Sequence, residues 1–153
     1  MTAEGDFTEQ EWKLVLQGPP TAGMIVITAQ RGGSVRESFS IAKAYTEARK
    51  QHGESELLDA ITAAKPELDR TRYHSPEELK ESGLRNLREA VELLNRKAEA
   101  SEVEQYKRFV VDLAERVAEA HREGFLGLSG ERVSDDERAA VDQISETLGT
   151  ASF

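Results

Sequence analysis

The sequence contains no cysteine, only three histidines and only four prolines in 153 residues. Without thiols there is no disulfide framework, no thiol nucleophile and no zinc or iron–sulfur site of the thiolate kind. The histidines are also poorly placed for a bundle metal site. Such sites use a Glu three residues before a His, whereas Arg49, Thr71 and Ala118 stand three residues before His52, His74 and His121. No cofactor, resident metal or catalytic group is expected from this inventory.

Long apolar runs are missing too. The longest nearly apolar stretch, Ala22 to Ala29, falls far short of the ~20 residues that span a bilayer. Met1 to Phe7 carries two acids and no base, unlike the first part of a secretory signal. A cytoplasmic protein with no membrane association is the expectation. Positive charge is likewise scarce: 20 Lys and Arg stand against 29 Asp and Glu, a net charge of −9. Nucleic-acid affinity rests largely on bases that neutralise phosphates, so no nucleic-acid partner is expected. The acidity is concentrated in residues 75–153, which hold 18 acids and 11 bases, against 11 and 9 in residues 1–74.

What is present is helix-forming sequence with clear punctuation. Five Ser/Thr-x-x-Glu boxes begin at Thr8, Ser34, Ser75, Ser101 and Ser134. In such a box the hydroxyl accepts the N–H of the third helical residue, and the Glu there reaches back to the N–H of the cap. Phe7 and Trp12 occupy the positions of a hydrophobic staple, and Pro76 the first helical position, where a missing N–H costs nothing. These starts, with breaks at Gly18-Pro19-Pro20, Gly32-Gly33, Gly53, Pro66–His74 and Gly124–Val133, predict helices over 9–17, 20–30, 35–51, 54–65, 76–98, 102–123 and 135–148. Met24 to Thr28 is β-branched and short, yet no second strand exists to pair with it, so it reads as a buried central helix.

Two long stripes follow. Leu84, Leu87, Val91, Leu94 and Ala98 recur in steps of three and four, as do Val103, Tyr106, Val110, Leu113, Val117 and Ala120. The step of five between Ala98 and Val103 breaks the register. Together with the Ser101 box it predicts a tight antiparallel hairpin. The expected fold is all-α: one domain over 1–153, frayed at 1–7 and 149–153, a compact bundle of about seven helices built on that hairpin.

Met24-Ile25-Val26-Ile27-Thr28-Ala29-Gln30-Arg31-Gly32-Gly33-Ser34-Val35-Arg36-Glu37 and Phe125-Leu126-Gly127-Leu128-Ser129-Gly130-Glu131-Arg132-Val133-Ser134-Asp135-Asp136-Glu137 both run from apolar residues through a glycine turn into a capped helix. In these stretches the chain resembles the tellurite-resistance TerB-like helical proteins. It is also similar to bacterial all-helical proteins of this size with no assigned activity. The resemblance implies a helical fold and, as one alternative, a carboxylate metal-binding protein. Where the TerB-like pattern has Asp before Gly, this sequence has Gly32 and Ser129.

Three constellations remain. Arg70, Arg72, Tyr73 and His74 crowd five residues just before the helix that Ser75 starts, a pattern able to recognise a small anionic ligand through forked guanidinium donors at a positive helix end. Asp112, Glu115, Glu119 and Glu123 share a helix face, but Arg116 and Arg122 interleave with them, as on a solvated surface. On the same helix the apolar stripe is wide. Phe109 flanks Val110, Leu113 and Val117, so that face needs either a second layer of the same subunit or a partner chain. The leading expectation is a non-enzymatic interaction or scaffold module, with a protein partner or homodimer meeting Phe109, Val110, Leu113 and Val117.

Overall fold

The computed structural model describes residues 4–29, 35–50, 56–64, 75–123 and 135–149. Among them are six α-helices: α1 (Glu9–Ala29), α2 (Val35–Lys50), α3 (Glu56–Ala63), α4 (Pro76–Lys97), α5 (Ala100–Glu123) and α6 (Asp135–Leu148), preceded by a 3-10 turn over Glu4–Asp6. The all-α expectation holds, with six helices in place of seven. No helix among the described residues is long and apolar enough to cross a membrane.

The missing seventh helix is explained at Pro19 and Pro20, which lie inside α1 instead of dividing it. Proline has no N–H, so these two leave the carbonyls of Val15 and Leu16, four residues earlier, without their usual intrahelical donors. One of these is satisfied from another helix: the Tyr106 hydroxyl of α5 donates to the Val15 carbonyl at 2.8 Å. Gly18 makes the approach feasible, because a Cβ there would lie 2.0 Å from the Tyr106 hydroxyl. A helix that runs through two prolines therefore depends on a tyrosine and a glycine placed to suit them.

α1 is the axis of the bundle. Every residue from Gly18 to Ile27 is buried, as expected of a helix apolar around its whole circumference. α4 and α5 each pack on α1 far more extensively than on each other. Their stripes, Leu87, Val91 and Leu94 on one and Val103, Tyr106, Val110, Leu113 and Val117 on the other, are all buried in a single core. The two-residue link of Ala98 and Glu99 thus joins helices that close on α1, where the sequence suggested a seam between the two themselves. Gly83 of α4 allows close packing, since a Cβ there would meet Thr21 Cγ2 at 2.8 Å and Ile25 Cδ1 at 2.9 Å. Gly23 does the same towards Ile41 and Leu113, where a Cβ would meet their side chains at 2.6 and 3.0 Å.

The caps are realised where they are described. Thr8 and Glu11 exchange both bonds of their box, at 2.9 and 3.1 Å. Phe7 stacks against Trp12 with ring centroids 5.5 Å apart. Glu4–Asp6 form the 3-10 turn and Phe7 is buried; residues 1–3 and 150–153 lie outside the described part. Ser75 is extended and accepts from the Glu78 N–H at 3.0 Å. Ser101 is not the cap of α5. That helix starts one residue earlier at Ala100, with Val103 N–H bonded to the Glu99 carbonyl at 3.0 Å. The Ser34 and Ser134 boxes lie outside the described residues.

α3 is only eight residues long, too short to be stable alone. Its neighbours hold both ends. The buried carboxylate of Glu102 on α5 accepts the Leu57 N–H at 3.2 Å, placing negative charge at the N-terminus. Arg49 of α2 donates to the carbonyls of Thr62 and Ala64, placing positive charge at the C-terminus. Both signs suit the helix dipole. Lys97 ties the end of α4 to the start of α1: it bonds Glu11 at 2.7 Å and the Asp6 carbonyl at 3.2 Å, and lies 5.6 Å from the centre of the Phe7 ring.

Candidate functional site

The residues singled out in the sequence fare differently. Arg70, Arg72, Tyr73 and His74 lie outside the described residues. Val110, Leu113 and Val117 are fully buried within the subunit. The wide face of α5 is covered by α1 on one side and α2 on the other, so these three are core residues and offer no surface to a partner. Phe109 alone of that set stays partly exposed. Its ring meets Tyr45 of α2 edge-on, with centroids 5.3 Å apart.

The acidic ladder of α5 is partly dismantled by cross-helix contacts. Arg116 pairs with Glu47 of α2. Glu115 and Glu119 instead border a cleft of about 160 Å³ between α5 and α6, shared with Arg138 and floored by Ala118 and Val141. Burial pushes the Glu115 carboxyl above its ordinary value. The nearby Asp112 and Glu119 push the same way, and Arg138 opposes them. Among the described residues Glu115, Glu119 and Arg138 make no hydrogen bond or ion pair, unlike Glu11 and Glu47, whose carboxyls are held low by Lys97 and Arg116 respectively. No three His, Asp or Glu among the described residues are close enough together to hold one metal ion. The carboxylate-metal expectation therefore finds no cluster in Asp112, Glu115 and Glu119; the side chain of Glu123 lies outside the described part.

Sequence reasoning could pair Glu115 with Glu119 from their spacing of four. It could not supply Arg138, which the packing of α6 on α5 brings to them. Two buried phenols complete the set of perturbed groups. Burial raises both Tyr45 and Tyr106 well above the ordinary tyrosine value, with Tyr45 adding to the effect on Tyr106. Both are protonated at neutral pH. A base or nucleophile needs the opposite displacement, so Tyr106 serves as a hydrogen-bond donor within the core. Comparison of the chain with protein-family models, curated proteins and solved structures returned no match.

Proposed function

We propose that the protein is a non-enzymatic helical interaction module that works in the cytoplasm by binding another protein or a second copy of itself. The observation that carries this reading is Phe109. Among the described residues of the wide α5 face it is the one that the subunit leaves partly open, and its ring meets that of Tyr45 edge-on. A half-covered aromatic on a well-packed helix is the kind of residue that anchors interfaces, where aromatic side chains carry much of the binding energy. Membership of a TerB-like group is part of the same proposal. The described parts of the two matching stretches lie in α1, α2 and α6, helical as that pattern requires.

Light scattering across a micromolar concentration series, together with capture of partners from the cell of origin, tests the reading. The expected result is a dimer or a captured protein that Phe109→Glu removes and Phe109→Leu retains, both variants keeping the helical circular-dichroism spectrum. A monomer at every concentration with no captured protein, or binding indifferent to Phe109→Glu, overturns it. For a homodimer the expected symmetry is a two-fold.

A further inference from the structure

We propose that the cleft between α5 and α6 binds a small zwitterion carrying an ammonium and a carboxylate on a short apolar stem. Glu115 and Glu119 stand one helical turn apart on α5, Arg138 faces them from α6, and Ala118 and Val141 form the floor. The charged groups are of both signs, and none is engaged in a hydrogen bond or ion pair among the described residues. A lone cation would be drawn to the two carboxylates and repelled by Arg138; a lone anion meets the reverse. A molecule with both charges satisfies all three groups at once, its ammonium towards Glu115 and Glu119 and its carboxylate forked onto the Arg138 guanidinium.

Size and floor point the same way. At about 160 Å³ the cleft lies below the ~300 Å³ at which drug-sized pockets begin, which suits a molecule about the size of a single amino acid. Ala118 and Val141 are themselves almost fully buried, at 2% and 5% exposure, and give a methylene stem an apolar surface to lie on. The raised carboxyl of Glu115 is in keeping with this arrangement, because an ammonium would relieve the crowding by Asp112 and Glu119. This inference goes beyond the interaction reading and does not depend on Phe109.

The test is an amide-resolved NMR titration of the full chain at low salt with 5-aminopentanoate, with pentylammonium and pentanoate as single-charge analogues. Expected are shifts confined to the neighbourhood of residues 115–119 and 138–141, and an affinity for 5-aminopentanoate roughly tenfold or more above that for either analogue. Arg138→Gln and Glu119→Gln should each cost about tenfold, while Glu89→Gln on the exposed face of α4 should change nothing. Both cleft residues are exposed, so the variants are expected to fold, and circular dichroism checks that they do. Equal affinity for pentylammonium would reduce the cleft to an acidic patch and overturn the proposal. So would the absence of shifts, or shifts elsewhere on the surface.

Discussion

The Tyr106 hydroxyl donates to the carbonyl of Val15 at 2.8 Å, and the amide that would ordinarily serve this carbonyl belongs to Pro19, which has no N–H. Tyr106→Phe removes the donor and leaves a buried carbonyl bare, at an expected cost of about 1–3 kcal/mol in urea denaturation. Pro19→Ala restores an intrahelical donor to the same carbonyl. In the double variant it should therefore recover part of the loss, and a double-mutant cycle with no coupling between the two positions would refute the relationship.

Gly18→Ala should run against the usual rule. In an exposed helix interior the change gains about 1 kcal/mol, but here the new methyl would lie 2.0 Å from the Tyr106 hydroxyl. The expected result is a loss of about 1–3 kcal/mol, typical of overpacking. In a Tyr106→Phe background the nearest atom becomes the ring carbon at 3.2 Å. The penalty measured there should shrink; an undiminished penalty would show that the clash is elsewhere.

How far the chain could be read from its residues follows the reach of each interaction. The Thr8–Glu11 box, the Phe7–Trp12 staple and the Ser75 cap are local, complete within three to five residues, and all three were legible. The continuity of α1 was not, because Gly18-Pro19-Pro20 reads as a break unless a donor arrives from outside, and that donor is 91 residues away. Glu102 is turned to the N-terminus of α3, a use that no spacing within α5 reveals. In the cleft, Glu115 and Glu119 were legible as neighbours on one helix, and Arg138 was not. The burial of Val110, Leu113 and Val117 was readable as an apolar stripe, but which element covers it was decided only by the packing of α1 and α2.

The two ends of α3 should respond separately. Glu102→Ala exposes the Leu57 N–H and removes the favourable charge, and Arg49→Ala frees the carbonyls of Thr62 and Ala64. Losing a cap costs about 0.5–2 kcal/mol. Hydrogen exchange of the α3 amides should accelerate by about 2–30-fold, more than that of α1 or α4. Uniform acceleration throughout the chain would mean that α3 has no stability of its own to lose.

Acid should affect the two kinds of carboxyl in opposite ways. Glu11 and Glu47 are depressed by Lys97 and Arg116, so their stabilising effect is present above the ordinary value of 4.5 and fades as pH falls through their lower folded values. Glu115 is raised. Its ionised form is disfavoured by folding, so it detracts from stability above its raised value and has no effect once pH is below 4.5. Glu115→Gln should therefore stabilise at pH 7 and be neutral at pH 3, while Glu11→Gln should destabilise at pH 7 and lose that effect as pH falls through the depressed folded value of Glu11. Urea midpoints measured across this pH range check both, and a destabilising Glu115→Gln at neutral pH would reverse the sign assigned to it.

The bond between Tyr106 and Val15 also imposes an order on synthesis. A ribosome adds ~5–20 residues per second, so the 91 residues between the two take roughly 5–18 s to make. The most apolar segment of the protein, Met24 to Ile27, is made early in that interval, and it then waits for α4 through most of what remains and for Tyr106 of α5 until the end. The nascent chain thus presents its future axis uncovered, a stretch that a chaperone can hold and that a neighbouring chain can capture. Helical proteins usually assemble from near neighbours, and this one must wait for its C-terminal half before its first helix can close.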